Sequence, residues 1–309
     1  MTSQILLIVG PTASGKTSLS VGLAKALGGE IINADSMQVY EYVSILSARP
    51  TKIEMDNIPH KLFGCISPTS QFSVADWHKL AKTEVERTIK SGKTPILVGG
   101  TGLYFKAALE GLAPIPIIPN EVREKVRERL NRDGSELLYE ELIRLDPECA
   151  NRLKPGDGQR VARAIEVKLA TGTPLSEWQE NNAPGFLQDF VENGLVKKVI
   201  LEMPRDILYD RINARFDRMV VNGALEEVQG LMNNNIPTDM PAMKALGIPS
   251  FMRYLKSEVK LDIAIDEAKT QSRRYAKRQM TWFRNQFTDW QRINPMDEDL
   301  ETHIKEIIG

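Results

Sequence analysis

The chain has 309 residues, of which 42% are hydrophobic and 26% are charged, and its formal net charge is -1. A chain of this length and composition can bury a sizeable core and is expected to form about two globular domains. The near-neutral balance excludes a uniformly basic nucleic-acid-binding protein, so any basic surface has to be local.

Cysteines, histidines and apolar runs limit the remaining classes. The two cysteines, Cys65 and Cys149, lie far apart, and with three histidines they predict neither a zinc cluster nor a disulfide. No basic segment followed by a signal-type apolar run is seen, and no run approaches the ~18 apolar residues of a membrane span. We therefore expect a cytoplasmic protein that makes no contact with a membrane. We also expect it to be a monomer.

The first predicted elements flank a glycine-rich segment. Residues 5–9 are continuously apolar, as in a buried parallel strand, and residues 18–27 have leucines at helical spacing. Between them, residues 10–17 fit the pattern G-x-x-x-x-G-K-T at every fixed position, and we call them the phosphate loop. The glycines let main-chain N–H groups form an anion nest, the lysine adds a cation, and the hydroxyl of Thr17 suits Mg²⁺. The loop residues are Gly10, Pro11, Thr12, Ala13, Ser14, Gly15, Lys16 and Thr17.

This pattern predicts a site for linked phosphates but does not decide whether they belong to a nucleotide. A second short strand is predicted over residues 30–36 and carries Asp35 near its end. Since ligands bind at the carboxyl ends of parallel strands, Asp35 should face the same crevice as the phosphate loop. A third buried strand, residues 95–100, runs into Thr101 and carries no acid. The residues alone leave three roles for Asp35: a metal's outer-shell partner, a general base, or the cap of its own turn.

The later elements alternate between strands and helices except in one segment. Residues 113–119 are a proline-rich linker, and the residues that follow, to about 180, are helical and charged with no strand candidate. Elsewhere, helices are predicted over residues 73–90, 103–110, 205–221, 225–232, 243–255 and 261–285, and further strands over residues 196–202 and 290–293. The predicted fold class is α/β, with a P-loop NTPase-like parallel sheet core, helices on both faces, and an all-helical insertion domain. The core is predicted from residues 1–118 and 188–309, and the insertion from residues 119–187.

Eight segments together resemble the bacterial tRNA dimethylallyltransferases, also called tRNA isopentenyltransferases. They occur in the order of that family and span nearly the whole chain. They are GPTASGKT (residues 10–17), ADSMQVY (34–40), ARPT (48–51), FSVADW (72–77), PILVGGTGLYFKA (95–107), DGQRVARAIEV (157–167), TGTPLS (171–176) and YAKRQMTWFR (275–284). Four departures concern the fine contacts with substrate RNA. Met37 stands where many members have arginine, and residues 41–47 differ from the usual glycine-containing segment. His60-Lys61 replaces a common His-His pair, and Leu246-Gly247-Ile248 replaces the more frequent Ile-Gly-Tyr.

The resemblance implies that the phosphate loop holds the diphosphate of dimethylallyl diphosphate. The N6 amine of the adenosine on the 3′ side of the anticodon attacks the allylic carbon, and diphosphate leaves. That reaction needs a base near the amine and positive charge near the leaving group. The resemblance assigns Asp35 as the general base and the hydroxyl of Thr12 as a contact of the diphosphate. Lys16, Mg²⁺ and Arg215 supply the charge, and Arg211, one helical turn from Arg215, is the alternative arginine.

The same resemblance implies that the partner is a tRNA anticodon stem-loop, with the target base extruded from its stack. The residues expected to contact tRNA are Asp35, Ser36, Met37, Gln38, Thr101, Arg123, Gln159, Arg160, Val161, Ala162, Arg163, Arg274, Lys277 and Arg278. Arg273 joins the last three in a basic stripe on the predicted helix 261–285, which suits phosphate contacts. Trp282 and Phe283 on that helix are interpreted as core residues rather than as base-stacking platforms.

Three alternative functions stay open. A small-molecule kinase or NTPase of the same fold would turn over ATP, but the third predicted strand lacks the acid that usually follows it. A prenyltransferase for free adenine nucleotides would not need a long helical insertion and a basic last helix. A non-catalytic RNA-binding module would have no reason to combine Lys16, Thr17 and Asp35.

Overall fold

A computed structural model of the protein describes residues 4–309. These residues form a six-stranded sheet in which all neighbouring strands are parallel. The strands are β1 (Ile5–Val9), β2 (Gly29–Asn33), β3 (His60–Lys61), β4 (Thr94–Gly99), β5 (Val196–Leu201) and β6 (Gln291–Ile293). Their order is β3-β2-β4-β1-β5-β6, so β1 lies between β4 and β5. The predicted α/β fold with a parallel sheet is confirmed.

Helices connect the strands and extend beyond the sheet. They are α1 (Lys16–Leu27), α2 (Lys52–Met55), α3 (Val74–Lys90), α4 (Gly102–Glu110), α5 (Asn120–Leu145), α6 (Pro147–Arg152), α7 (Gly158–Thr171), α8 (Leu175–Glu180), α9 (Gln188–Glu192), α10 (Arg205–Val221), α11 (Ala224–Asn233), α12 (Ile248–Leu255), α13 (Leu261–Gln286) and α14 (Leu300–Ile308). A capping box precedes α3: Ser73 and Asp76 exchange side-chain to main-chain hydrogen bonds, which places the start of the helix near the predicted residue 73. Among the helices described, none is long and apolar enough to cross a membrane.

The prediction of a single helix over residues 243–255 is wrong. Pro241–Lys244 form a 3₁₀ turn, Gly247 adopts a φ of 94°, and α12 begins only at Ile248. Glycine adopts a positive φ without the steric cost of a Cβ, so the helix can break there while the apolar pattern continues. Apolar periodicity therefore did not reveal the interruption.

The second strand is also shorter than predicted. β2 ends at Asn33, because the Asn33 side chain accepts a hydrogen bond from the main-chain N–H of Asp35 and donates to its carbonyl. The short α2 and β3 and the last helix, α14, were not predicted. α14 packs against α1, where a Cβ on Gly22 would lie 2.5 Å from the side chain of Ile304. Because this contact joins residues that are far apart in the sequence, the apolar pattern around Gly22 could not indicate it.

The chain separates into two compact units. One consists of the described residues up to Ala108 together with Leu187–Gly309, and it contains the sheet. The other is Leu109–Phe186, whose elements are the helices α5, α6, α7 and α8. The core of this second unit is apolar and includes Val126, Leu138, Leu142, Val161 and Ile165. Each unit thus has a hydrophobic core of its own.

The sheet-containing unit has separate apolar clusters on different elements. One cluster joins the sheet to α1 and α14, and it includes Leu6, Leu23, Ile96 and Ile307. Another joins residues 39–46 to α10, α11, α12 and α13, and it includes Val43, Leu46, Phe216, Val228 and Phe251. The second cluster fixes the segment after β2 against helices from the C-terminal half. This packing brings residues from distant parts of the sequence to the carboxyl ends of the strands.

Candidate active site

The phosphate loop leads directly from β1 into α1. Gly15 adopts a φ of 93°, which suits glycine, and Lys16 is the first residue of the helix. The Nζ of Lys16 donates hydrogen bonds to the carbonyl oxygens of Gly10 at 2.9 Å and Pro11 at 2.8 Å. The hydroxyl of Ser14 is buried and has no hydrogen-bond partner among the described residues. A buried hydroxyl without a partner inside an amide-lined loop fits an incoming anion.

Lys16 has unusual electrostatics for a lysine. Burial lowers its pKa to about 8, while the charge of Asp35 opposes this shift and the charge of Arg215 adds to it. The ammonium is therefore held in a position where an additional negative charge would be strongly favoured. An anionic ligand on the phosphate loop would supply that charge.

Asp35 lies two residues beyond β2, where it both caps its own turn and lines a cavity. Its Oδ1 accepts the main-chain N–H of Met37 at 2.9 Å, so it does cap its own turn. Its side chain also lines a cavity together with Thr12 and Arg215. The capping role and an active-site role are therefore compatible, since only one of the two carboxylate oxygens makes the turn.

Thr101 follows β4 and joins this turn to α13. Its Oγ1 accepts the main-chain N–H of Ser36 at 2.9 Å and donates to the hydroxyl of Ser36 at 3.3 Å. The side chain of Tyr275 is also hydrogen-bonded to Thr101. Burial raises the pKa of Tyr275 well above its usual value, with a further contribution from the charge of Asp35, so the phenol stays neutral.

The structure brings Arg215, rather than Arg211, to the phosphate loop. In Arg215, Nη1 donates to the Thr12 hydroxyl at 3.3 Å and Nη2 donates to the carbonyl of Ala48 at 3.2 Å. Arg211, one turn earlier on α10, is exposed. Burial lowers the pKa of Arg215 from its usual value, but a guanidinium remains charged at neutral pH. A fixed cation therefore lies beside the loop.

Gln279 is a site residue that the sequence analysis missed. Its side chain, 6% exposed, accepts the main-chain N–H of Thr12 at 3.0 Å and donates to the carbonyl of Gly100 at 2.9 Å. One signal was available: Gln279 lies three residues after Ala276 and four before Phe283, on the apolar face of the helix. A polar side chain on a buried face requires partners, which makes it a candidate for a structural role at a site.

The cavity beside these groups has a volume of about 240 Å³. Its polar lining includes Thr12, Asp35, Ser36, Arg215, Tyr275 and Arg278. Its apolar lining includes Leu46, Ile212, Phe216, Met219 and Leu246. A cavity with a cationic, hydrogen-bonding part and an apolar part suits a small ligand that combines an anionic group with a hydrocarbon group.

The basic stripe predicted on α13 divides into two groups. Arg274, Lys277 and Arg278 are exposed, and the Arg278 guanidinium also lies over the ring of Tyr275, 5.5 Å from its centroid. Arg273 instead donates to the side chains of Asn213 and Thr270, both at 2.7 Å, so it is occupied within the protein.

Met37 and Gln38, which are also predicted to contact tRNA, and the aromatic residues Trp282 and Phe283 lie in the sheet-containing unit as well. Met37 lines the cavity, while Gln38 donates to the carbonyl oxygens of residues 47 and 48. Phe283 is buried, in agreement with its interpretation as a core residue. Trp282 is half-buried and packs on Gly102, where a Cβ would lie 2.1 Å from the indole ring.

The second unit carries the other predicted contacts. Gln159 and Arg160 are exposed near the start of α7, and Arg160 pairs with Asp157 at 3.4 Å. Arg163 is half-buried and pairs with Glu166 at 3.5 Å. The Nε of Arg123 has no hydrogen-bond partner among the described residues.

The prediction that Val161 and Ala162 contact tRNA needs a correction as far as their side chains are concerned. Their side chains are buried in the core of the second unit, because they lie on the apolar face of α7. They support the position of their polar neighbours and present no surface of their own.

The part of the chain that the structure describes holds no group of three or more histidine, cysteine or acidic side chains arranged for a metal ion. The predicted metal ligand, Thr17, lies in the first turn of α1. Mg²⁺ characteristically takes few protein ligands and completes its shell with phosphate oxygens and water. A single hydroxyl on the phosphate loop is therefore compatible with Mg²⁺ but would not hold it without a phosphate ligand.

Comparisons with known proteins agree on one family. A family model described as IPP transferase matches residues 38–286. The chain is 45% identical over 299 residues to a tRNA dimethylallyltransferase of Sinorhizobium medicae strain WSM419, and the match covers 96% of this chain and 97% of the relative.

Two crystal structures have a similar fold. One is the full-length tRNA isopentenylpyrophosphate transferase of Bacillus halodurans, with a TM-score of 0.71 and 38% identity over 99% of this chain and 94% of that one. The other is a eukaryotic dimethylallyltransferase acting on tRNA, with a TM-score of 0.80 and 26% identity over 96% of this chain and 75% of that one.

Proposed function

Because the chain belongs to the IPP transferase family, we propose that it is a tRNA dimethylallyltransferase. It transfers a dimethylallyl group from dimethylallyl diphosphate to the N6 amine of the adenosine on the 3′ side of the anticodon, and it releases diphosphate. One observation carries the proposal: a single cavity combines Asp35, the cation of Arg215, Thr12 of the phosphate loop and an apolar wall. These are the groups that a base, a leaving diphosphate and a five-carbon chain require.

The phosphate loop binds the diphosphate through its main-chain N–H groups and through Lys16. Arg215 and the Thr12 hydroxyl, which are already hydrogen-bonded to each other, lie at the side of the loop that faces the cavity. Negative charge on the diphosphate increases as the bond between the allylic carbon and oxygen breaks. Preorganised cations and N–H donors stabilise that charge more in the transition state than in the bound donor.

Mg²⁺ is the proposed cofactor, with Thr17 and the diphosphate oxygens as its ligands. When bound, it would neutralise part of the charge on the leaving group. The chain itself provides Lys16 and Arg215 for the same purpose.

Asp35 is the proposed general base. The N6 nitrogen forms a bond to the allylic carbon, the carbon–oxygen bond breaks, and its electron pair leaves with diphosphate. The amine then carries a proton in excess, and the carboxylate of Asp35 accepts it. The turn that holds Asp35 is fixed by Asn33 and Met37 and is hydrogen-bonded through Ser36 to Thr101, which we propose contacts the target nucleotide.

The proposed macromolecular substrate is the tRNA anticodon stem-loop. Exposed basic residues on α13 and polar or basic residues of the second unit suit contacts with its sugar-phosphate backbone. The proposed contacts are Ser36, Met37, Gln38, Thr101, Arg123, Gln159, Arg160, Arg163, Arg274, Lys277 and Arg278. The predicted insertion, residues 119–187, contributes four of them. We also propose that the enzyme acts in the cytoplasm, where its tRNA substrate is found, and that it is a monomer.

The test is incubation with labelled dimethylallyl diphosphate and Mg²⁺ in the presence of unmodified tRNA, AMP or ATP. We expect label in tRNA together with one diphosphate released per transfer. The matched control is the same tRNA with guanosine in place of the target adenosine, which should remain unlabelled. Transfer to AMP but not to tRNA would contradict the proposal, and ATP hydrolysis without prenyl transfer would indicate a kinase or NTPase.

A further inference from the structure

Glu227 on α11 binds three consecutive main-chain N–H groups of the segment after β2. Its Oε2 accepts the N–H of Ser44 at 2.7 Å, the hydroxyl of Ser44 at 3.0 Å and the N–H of Ile45 at 2.7 Å. Its Oε1 accepts the N–H of Leu46 at 2.9 Å. Consecutive N–H groups that converge on one carboxylate form an anion nest, and here the anion is a side chain of the protein itself.

The segment held by Glu227 is one wall of the cavity. We call residues 44–48 the wall loop, because Leu46, Ser47 and Ala48 line the cavity. The carbonyl of Ala48 also accepts a hydrogen bond from the guanidinium of Arg215. The wall loop therefore contributes both an apolar surface and the acceptor that orients the cation beside the phosphate loop.

We propose that Glu227 is a positioning residue for the prenyl donor, an inference that rests on the proposed function. Glu227 is not among the residues that line the cavity, so it acts through the main chain of the wall loop. By fixing residues 44–46, it places Leu46 against the hydrocarbon part of the donor. It also holds the Ala48 carbonyl where Arg215 can bond to it and to Thr12 at the same time.

The nest requires a carboxylate of this length. A glutamine in place of Glu227 has one oxygen and one NH₂ group, and the NH₂ group would face a main-chain N–H as a second donor. An aspartate keeps both oxygens but is shorter by one methylene, so it could not reach all three N–H groups from the same helix position. Hydrogen bonds to a charged acceptor are also about twice as strong as neutral ones, so the loss of charge weakens the bonds that remain.

The effect should appear in the kinetics of the donor rather than in tRNA binding. A mobile wall loop removes the apolar wall and lets Arg215 leave the diphosphate, so the KM for dimethylallyl diphosphate rises and kcat falls. The exposed basic residues proposed to contact tRNA are on other elements and keep their positions. A residue that only stabilised the fold would lower the melting temperature and the active fraction without changing KM.

The experiment compares Glu227→Gln and Glu227→Asp with Glu226→Gln, a matched change at the exposed neighbouring glutamate. At saturating tRNA, we expect Glu227→Gln to raise the KM for dimethylallyl diphosphate about tenfold, the factor that one charge-assisted hydrogen bond supports. Glu227→Asp should lie between Glu227→Gln and the wild type. Glu226→Gln should stay within about twofold of the wild type, since an exposed side chain contributes little. The Kd for tRNA should stay within about twofold of the wild type in all variants, since Gln38, which bonds to the wall loop, is one of several proposed contacts and the exposed basic ones lie on other elements.

A KM for Glu227→Gln equal to that of Glu226→Gln would overturn the inference, even if the protein were less stable. Should Glu227→Gln not fold, Ser44→Ala decides, because it removes only the hydroxyl bond and should raise the same KM about threefold, whereas an unchanged KM would overturn the inference. Hydrogen exchange of residues 44–48 is measured in parallel and should be fastest in Glu227→Gln, intermediate in Glu227→Asp and unchanged in Glu226→Gln. A wild type that transfers no prenyl group would contradict the proposed function, while the exchange result would still report on the wall loop.

Discussion

The side-chain amide of Gln279 accepts the main-chain N–H of Thr12 at 3.0 Å, and the same amide donates to the carbonyl of Gly100 at 2.9 Å. Thr12 belongs to the phosphate loop, and Gly100 immediately precedes Thr101. One buried side chain therefore fixes the distance between the part of the site proposed to hold the leaving group and the part proposed to hold the nucleophile. The amide suits this position because it carries an acceptor oxygen and a donor NH₂ group on one planar end.

Gln279→Met is expected to impair both stability and turnover. Methionine has a similar size, but it leaves the Thr12 N–H and the Gly100 carbonyl without partners in a buried position. Leaving these groups unpaired should lower the free energy of unfolding by about 2 to 4 kcal/mol and reduce kcat at least about tenfold. Denaturant unfolding and steady-state kinetics measure the two effects.

The control for this prediction is Gln286→Met on the same helix. Gln286 is exposed, and its amide bonds to Lys106 at 2.8 Å. We expect Gln286→Met to lower the free energy of unfolding by less than about 0.5 kcal/mol and to leave kcat unchanged. Equal effects of the two substitutions would show that the position of the amide is unimportant.

Asp35→Asn should separate chemistry from binding. The asparagine oxygen can still accept the N–H of Met37, so the turn is preserved, but the side chain can no longer accept a proton from the amine. General-base catalysis typically contributes a factor of about 10² to 10⁴, so kcat should fall by that amount while the Kd for tRNA changes less than about twofold. The measurement is single-turnover transfer beside filter binding of tRNA. A loss of tRNA affinity as large as the loss of turnover would remove Asp35 from the role of base.

Arg215→Ala should weaken the use of the donor, whereas Arg211→Ala should not. Arg215 donates to Thr12 and Ala48, while Arg211 is exposed on the preceding turn. Removal of a fixed donor at a site of developing charge typically costs a factor of about 10² to 10³ in kcat, and we expect a loss of that size in kcat/KM for dimethylallyl diphosphate. Arg211→Ala is the control and should retain wild-type kinetics. Equal losses would place both arginines in the site.

The sequence predicted those elements that are determined by residues close to one another in the chain. β1 at Ile5–Val9 and α10 at Arg205–Val221 have the predicted bounds, and the phosphate loop was recognised from eight consecutive residues. The roles of Gln279 and Glu227 were not predicted. Gln279 binds the main chain of Thr12, 267 residues away, and Glu227 binds that of Ser44, 183 residues away. No periodicity in the sequence links positions so far apart. A pattern can indicate that a polar residue is buried, but its partner is determined by tertiary packing.

Binding of inorganic diphosphate should weaken above pH 8 because of Lys16. Burial lowers the Lys16 pKa from 10.5 to about 8, and a lysine is charged only below its pKa, so the free protein loses this cation as pH rises through that value. Because the bound state requires the charge, the Kd should rise about tenfold for each unit of pH above the pKa. Calorimetric titration without Mg²⁺ between pH 7 and pH 9.5 measures the Kd. Lys16→Met, which lacks the charge at every pH, gives the change due to titration of the diphosphate itself. Parallel profiles for the two proteins would mean that Lys16 keeps an ordinary pKa or does not contact the diphosphate.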